Sequence, residues 1–158
     1  MTPIGFETHD HSDCIDAGIA AVRAHCVADG LQLTPVRRRV LEILLTGHKA
    51  MGAYDIMDIL RADGLNPQPP TAYRALDFLV AHGFAHRVER LNAFVACTAP
   101  GQRHAPVLLI CRGCEAVAET QVDTTHALGQ AASGVGFAVE STVLEAEGLC
   151  PRCQIDLA

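Results

Sequence analysis

The sequence has no long apolar run. Across its 158 residues, the longest uninterrupted apolar stretches are short segments such as 107–111, well below the about 20 residues that a membrane-spanning helix requires. The first thirteen residues include Thr, Glu, His and Asp, where a secretory signal has basic and then apolar residues. These absences predict a soluble, cytoplasmic protein without a membrane partner.

Positive charge is scarce as well. The chain has 12 Lys and Arg against 18 Asp and Glu, for a net charge of −6. This balance argues mildly against a nucleic-acid partner, because phosphates attract Lys and Arg. The deficit is uneven, since residues 31–75 contain six basic and four acidic residues and so carry a charge of +2. The total charge therefore predicts weak binding to nonspecific DNA and leaves a local DNA-binding surface possible.

Cysteine and histidine, in contrast, are abundant. The chain has seven Cys and eight His, and 49% of its residues are hydrophobic, which is enough to bury a core and excludes wholesale disorder. An odd number of cysteines does not suit a fully paired secreted framework. In a cytosolic chain, clustered cysteines favour metal binding over disulfides.

Four of the cysteines form two Cys-x-x-Cys pairs. Two residues between the thiolates allow one tight turn to direct both sulfurs at one ion, and two such turns complete the tetrahedron that zinc accepts. The alternatives are a redox Cys-x-x-Cys motif or buried free thiols. A redox motif, however, would occur once, near the start of a βαβ unit. We therefore predict a structural zinc site with four sulfur ligands, Cys111, Cys114, Cys150 and Cys153.

The first two thirds of the chain predict helices followed by a hairpin. Apolar residues at helical spacing, with N-cap and stop signals, predict four helices at 15–29, 35–46, 53–63 and 70–82. Leu76, Leu79 and Val80 mark the expected core face of the fourth helix. Two extended runs, 84–89 and 93–97, then predict a β-hairpin. Helices followed by a two-stranded wing are the layout of a winged helix-turn-helix.

The pattern changes after residues 98–104, which have the composition of a hinge. Beyond them we predict strands at 107–111 and 115–121, a helix at 122–133 and a strand at 137–145. The fold class is therefore α+β, with an N-terminal winged helix-turn-helix domain and a small C-terminal α/β domain that holds the four-cysteine zinc site. We expect a flexible N-terminus over 1–14, and domains over 15–97 and 105–158.

Three features carry a resemblance to a known family. They are the segment from His48 to Asp55, the run Pro-Pro-Thr-Ala-Tyr-Arg-Ala-Leu-Asp-Phe-Leu that begins at Pro69, and His86 followed by the two cysteine pairs. Together they resemble the Fur family of metalloregulators over about residues 31–153, and most of all its zinc-responsive members. The resemblance implies a homodimeric repressor that binds operator DNA with zinc as corepressor and controls zinc uptake genes.

The family's sensing site lies at the hinge. Matched residue by residue, the resemblance assigns its ligands to His86, Cys97, His104 and Glu119, which gives two zinc ions per chain in all. A thiolate in this set favours zinc over iron. Because ligands lie on both sides of the hinge, metal binding would fix one domain against the other. Each residue also has a simpler interpretation as a surface or core side chain, and Glu115 is an alternative to Glu119.

The predicted recognition helix spans residues 71–82. Thr71 and Arg74 lie near its outer face, and Arg74 can donate two hydrogen bonds to a guanine, with a phosphate contact as the alternative. Tyr54 and Tyr73 are the two tyrosines among only seven aromatic residues. Tyr54 matches a DNA contact of the family, and Tyr73 suits a backbone or phosphate contact. The Arg37–Arg39 run is either a solvated helix face or a flank for phosphates.

Other functions and sites remain possible at this point. An enzyme is not expected, because the zinc deaminases need a His-x-Glu motif that the chain lacks, and no small-molecule substrate is predicted. The alternatives are an iron- or manganese-responsive member of the family and a zinc-ribbon interaction module without DNA binding. His9, His11 and Cys14 are a possible accessory metal cluster, although a loose tail is the simpler interpretation.

Overall fold

The structure is a computed structural model, and it describes residues 5–7, 10–102, 105–123 and 125–157. Four helices and a two-stranded sheet form the N-terminal half, and a three-stranded sheet with two helices forms the C-terminal half. None of the helices described is long and apolar enough to cross a membrane. The elements are α1 Ser12–Asp29, α2 Pro35–Leu45, α3 Ala53–Ala62, α4 Pro69–Ala81, β1 Ala85–Val88, β2 Ala93–Ala96, β3 Pro106–Cys111, β4 Val117–Gln121, α5 Thr125–Gly134, β5 Leu144–Gly148 and α6 Pro151–Asp156.

The four N-terminal helices pack around one apolar core. Thr34 caps α2 by accepting a hydrogen bond from the Arg37 backbone N–H, with Pro35 in the first turn. In α4 the buried face consists of Ala72, Ala75, Leu76 and Leu79, which recur at helical spacing. Val80 is exposed, so its predicted core position is wrong, because it lies one residue beyond the edge of this stripe.

The predicted hairpin forms the wing. Strands β1 and β2 pair antiparallel with Ala85 opposite Ala96, and a short 3-10 turn at Glu89–Leu91 joins them. Asn92 closes the turn in the left-handed region with a φ of 47°, a conformation that asparagine tolerates better than most residues. The α+β class and the winged-helix layout are therefore confirmed.

The C-terminal sheet has the strand order β4-β3-β5. β4 pairs antiparallel with β3, and β5 pairs parallel with it, so that Cys111 is opposite Gly148. The third strand begins at Leu144, whereas the sequence predicts a strand over 137–145. The pairing with β3 explains the difference, because this register ends β5 two residues before Cys150 and so brings the second cysteine pair beside the first.

Helices near both ends of the chain also differ from the sequence prediction. Helix α1 begins at Ser12, three residues before the predicted start at Ile15, because the apolar pattern becomes visible only where the helix meets the core. The short helix α6 is not among the predicted elements, although Pro151 in its first turn is a recognised start signal. The cysteine spacing there indicates only a metal-binding turn.

The loop between α2 and α3 and the wing both contact the C-terminal half. The loop between α2 and α3 lies against β4, where the Val117 backbone N–H donates a 2.7 Å hydrogen bond to the His48 carbonyl. The wing lies against β5, where Arg90 forms hydrogen bonds of 2.8 and 3.1 Å to the two carboxylate oxygens of Glu147. The Glu145 carboxylate also accepts the Arg90 backbone N–H at 3.0 Å. These hydrogen bonds join the two halves.

Candidate metal centres and nucleic-acid interface

The fold brings the two cysteine pairs together. The sulfurs of the four cysteines all lie within 4.8 Å of one another. These residues are Cys111, Cys114, Cys150 and Cys153. The sulfurs of Cys114 and Cys150 are 3.8 Å apart. Three of these side chains are buried and Cys114 is half-buried. The first pair begins at the last residue of β3, and the second is at the start of α6. Four thiols in this arrangement suit a closed tetrahedral zinc site.

The backbone around Cys111 is arranged for a thiolate. Burial alone would raise the pKa of this thiol, but hydrogen bonds from the backbone N–H groups of Cys150, Cys114 and Gly113 lower it to about 6. The Cys150 N–H lies 3.3 Å from the Cys111 sulfur. Donors directed at the sulfur favour its charged form, which is the form that binds a metal ion.

The turn between Cys111 and Cys114 leaves little room for a side chain at Gly113. A Cβ atom there would lie 3.0 Å from the Cys153 sulfur and 3.2 Å from its Cβ. Glu115, directly after the turn, has a φ of 61°. The close approach of the Gly113 backbone thus positions Cys153 against the first cysteine pair.

A second group of ligand atoms lies between the two halves. It consists of His86 on β1, Cys97 directly after β2, and Glu119 on β4, with one ligand atom of each within 4.8 Å of the others. His86 Nε2 is 3.2 Å from Glu119 Oε1, and the Cys97 sulfur is 3.8 Å from the same oxygen. Glu119 is 8% exposed, and no other charged residue of the described ranges is buried.

The electrostatics of this group suit a cation. Burial and the neighbouring Glu119 charge raise the pKa of the Cys97 thiol to about 12. Two buried groups that both become negative on ionisation repel each other in a medium of low dielectric constant. A divalent cation would reverse that repulsion, and an imidazole, a thiolate and a carboxylate are all ligands that zinc accepts.

The remaining residues of the predicted sensing set are placed differently. His104 lies outside the described residues. Glu115 is exposed and forms a 3.0 Å ion pair with Lys49, so it is Glu119 and not Glu115 that joins His86 and Cys97. The metal-binding role of the set stays a prediction.

Thr98 is a site residue that sequence reasoning missed. Its backbone N–H and its hydroxyl donate to Glu119 Oε2 at 3.0 and 3.1 Å, which leaves Oε1 directed at His86 and Cys97. No sequence pattern indicates this contact, because the two residues are distant in the chain and Thr98 falls in the segment with the composition of a hinge.

The predicted DNA-binding side chains lie on the surfaces of α3 and α4. Tyr54 is 71% and Tyr73 41% exposed, and Thr71 and Arg74 are exposed on the side of α4 opposite its buried stripe. These four residues, Tyr54, Thr71, Tyr73 and Arg74, are called the α3–α4 surface below. Their role in DNA binding is not tested by these positions and stays a prediction.

The Arg37–Arg39 run makes intramolecular contacts. The guanidinium of Arg37 lies 3.8 Å from the centre of the Phe78 ring, a cation–π contact between α2 and α4. Arg38 pairs with Glu42 at 2.9 Å, and Arg39 with Asp63 at 2.6 Å. These contacts within the protein favour the interpretation of the run as a helix face, and they argue against a role in contacting phosphates.

Known proteins match this chain over most of its length. The ferric uptake regulator family matches residues 28–147. The chain is 40% identical over 140 residues to the zinc uptake regulation protein of Escherichia coli strain K12, a match that covers 85% of this chain and 80% of that protein. Among solved structures, a zinc uptake regulator complexed with zinc and DNA has a TM-score of 0.85 at 35% identity, covering 91% of this chain and 98% of that one.

The whole chain is more similar in structure to a holo form than to an apo form of one relative. The crystal structure of holo XcZur has a TM-score of 0.82 at 39% identity and covers 88% of this chain and 98% of its own. The apo form has a TM-score of only 0.53 at 36% identity, with 90% and 99% covered. The structural similarity thus differs between the two forms although the sequence identity is nearly equal. As the motifs predicted, the chain belongs to the ferric uptake regulator family.

Proposed function

We propose that this protein is a zinc-responsive transcriptional repressor of the cytoplasm, which binds operator DNA as a homodimer and controls zinc uptake genes. The observation that carries the proposal is the meeting of His86, Cys97 and Glu119 between the halves. Two of these ligands belong to the wing and its end, and the third belongs to β4. Ligation of one ion by all three would hold the two halves in a single arrangement.

The donor set supports zinc as the regulatory ion. Cys97 supplies a thiolate, which suits zinc better than the iron or manganese of an iron- or manganese-responsive family member. Together with the four-cysteine centre this gives two zinc ions per chain, one structural and one regulatory. The names of the relatives, which are zinc uptake regulators, point the same way.

The proposed switch is a change in the population of domain arrangements. We take residues 15–97 as the DNA-binding domain, 98–104 as the hinge and 105–158 as the dimerisation domain. Zinc would favour the arrangement in which its ligands meet, and only by its differential affinity for that arrangement. By reciprocity, bound operator would tighten zinc binding by the same factor, typically about 1–3 kcal/mol.

The C-terminal half has apolar surface suited to a dimer interface. Phe137 is 65%, Val135 82% and Val143 56% exposed, all within or beside the segment between α5 and β5. Exposed apolar side chains that cluster in this way indicate an interaction surface. A second copy of the chain would place two α3–α4 surfaces at a fixed spacing, as dimeric helix-turn-helix proteins require.

The α3–α4 surface is the proposed contact with DNA. Arg74 would bond a base edge or a phosphate, and Thr71, Tyr73 and Tyr54 would contact the backbone or a thymine methyl group. The proposal includes no catalysis and no small-molecule substrate. In the four-cysteine centre, all four positions of a tetrahedral ion would be occupied by sulfur, so none remains open for a reaction.

The deciding experiment is an operator-binding titration by fluorescence anisotropy at controlled free zinc, iron and manganese. We expect binding to depend on zinc alone. A response to iron or manganese without zinc would support the corresponding alternative regulator. The absence of operator binding with every metal would support a zinc-ribbon interaction module, and metal-independent binding would contradict the switch.

A further inference from the structure

A short segment near the start of the chain lies against the four-cysteine centre. Gly5 is buried and Phe6 is half-buried. Phe6 packs against the buried cluster formed by three of the four cysteines, which are Cys111, Cys150 and Cys153. We propose that Gly5 and Phe6, called the N-terminal cover below, slow the loss of zinc from the four-cysteine centre.

The backbone at Gly5 approaches β4 more closely than a side chain would allow. A Cβ atom at this position would lie 2.7 Å from both the Ala118 Cα atom and the Val117 carbonyl oxygen. Gly5 also has a φ of 135°, a conformation that glycine adopts far more readily than other residues. Glycine therefore allows the segment to lie directly on the sheet, which places the next residue, Phe6, beside the cysteines.

Phe6 forms one wall of a crevice that borders two of the sulfur ligands. The crevice has a volume of about 230 Å³, and Cys111, Gly148 and Cys150 contribute to its lining. The apolar shell around a metal site controls how easily solvent reaches the ion and its ligands. A chelator that approaches the centre from this side would therefore have to displace the Phe6 ring.

The four sulfur ligands are shielded by different parts of the chain. The close approach of the Gly113 backbone covers Cys153, since a Cβ atom at Gly113 would lie 3.0 Å from its sulfur. Cys111 is 1% and Cys150 5% exposed, and Phe6 lies at their side of the centre. Removal of Phe6 should therefore open the side of the centre that the turn at Gly113 does not protect.

The cover would separate the two proposed zinc ions by their rates of exchange. A regulator that senses zinc at the hinge needs its structural ion to stay bound while the hinge ion exchanges. This consequence rests on the proposed function. The cover itself rests only on the four-cysteine centre, because its contacts are with that centre and with β4.

The test is the rate at which a strong chelator exposes the cysteines of the zinc-loaded, full-length protein. Alkylation of Cys150 and Cys153, followed by mass spectrometry, reports this centre alone, because neither residue belongs to the hinge set. We expect Phe6→Ala to raise the alkylation rate about tenfold, since loss of an outer-shell group typically lowers metal affinity by about 10–100-fold. Phe6→Leu keeps an apolar side chain at the crevice and should retain most of the protection.

Glu7→Ala is the matched control, because Glu7 is exposed in the same segment, and it should have the wild-type rate. Gly5→Ala tests the attachment of the segment with the Phe6 ring intact, and it should raise the rate as Phe6→Ala does. A wild-type rate in Phe6→Ala, or an equal increase in Glu7→Ala, would overturn the cover. Neither the hinge ion nor operator DNA enters this readout, so a failure of the cover is distinguishable from a failure of the proposed repressor.

Discussion

Cys97 and Glu119 meet at the boundary between the two halves, with the Cys97 sulfur 3.8 Å from Glu119 Oε1. Both side chains are buried, and both become negative when they ionise. Thr98 holds the other carboxylate oxygen of Glu119 through its backbone N–H and hydroxyl. At neutral pH the Cys97 thiol keeps its proton, because its pKa is raised to about 12, and it donates a hydrogen bond to Glu119. A cation that replaced this proton would meet two negative ligands, a thiolate and a carboxylate.

Replacement of Cys97 by Ala should abolish zinc-dependent operator binding. Loss of an outer-shell partner alone typically lowers metal affinity by about 10–100-fold, so loss of a ligand should lower zinc affinity at the hinge at least as much. Cys26→Ala is the matched control, because Cys26 is also a buried free thiol but lies in the helical core. Anisotropy titrations at buffered free zinc measure both variants. Unchanged zinc dependence in Cys97→Ala would show that Cys97 is not a ligand.

Zinc binding at the hinge should release a proton from Cys97. The pKa of this thiol is raised from 9.0 to about 12, so the group is protonated at neutral pH and must lose its proton to bind the ion. Because one proton must leave Cys97, the zinc affinity of the hinge site should rise about tenfold for each unit that the pH increases below pH 9. Calorimetry in buffers of different ionisation enthalpy measures the release, which should fall by about one proton in Cys97→Ala.

The same shift predicts how the metal-free protein responds to alkali. Because the folded pKa lies above the unfolded value, the folded state holds the proton more tightly. The contribution of this group to the free energy of unfolding is therefore complete below about pH 9 and is lost as pH rises toward about 12. Denaturant unfolding measures this effect in metal-free wild type and Cys97→Ala. Between pH 9 and pH 12 the free energy of unfolding should fall more steeply with pH in the wild type. Parallel pH profiles of the two proteins would contradict the prediction.

Replacement of Arg74 by Lys should weaken specific operator binding by about 1–3 kcal/mol, because one side-chain amine cannot make the two parallel hydrogen bonds of a guanidinium to guanine. Arg23→Lys is the control, since Arg23 is exposed on α1, away from the α3–α4 surface. Affinities for operator and for a scrambled duplex separate the two possible roles of Arg74. An equal loss on both duplexes would indicate a phosphate contact.

Replacement of Arg90 by Ala should loosen the contact between the wing and β5. The variant loses both hydrogen bonds to Glu147, and exposed ion pairs of this kind typically contribute about 0.2–1 kcal/mol. We expect a higher zinc concentration for half-maximal operator binding, with unchanged binding at saturating zinc. Arg87→Ala is the control, because Arg87 pairs with Asn92 and Glu89 within the wing. Equal behaviour of the two variants would exclude a role for the contact with β5.

Replacement of Gly113 by Ala should weaken the four-cysteine centre. The added methyl group would lie 3.0 Å from the Cys153 sulfur, which forces a displacement at the proposed structural zinc. In Gly129→Ala the methyl group meets nothing within 4 Å, and Ala in a helix is about 0.5–1 kcal/mol more favourable than Gly. Thermal unfolding with and without a strong chelator compares the two variants. Gly113→Ala should lose zinc to the chelator first, and equal retention would contradict the steric argument.

The local features of this protein follow from its sequence. Helical spacing and the Thr34-Pro35 start signal predicted the helices of the N-terminal half, because caps and apolar stripes depend on neighbouring residues. The two Cys-x-x-Cys pairs predicted a four-cysteine centre, since their spacing within each tight turn is itself a local constraint. The shift of β5 to Leu144–Gly148 could not be predicted, because its register depends on pairing with β3.

The meeting of side chains that are distant in the chain depends on the three-dimensional fold. The choice of Glu119 over Glu115, the support of Glu119 by Thr98, and the contact between His11 and His48 all join segments that are far apart in the chain. No periodicity or spacing encodes such pairs. They arise because dense packing of apolar side chains throughout the fold fixes where each loop lies against its neighbours, which local sequence does not determine.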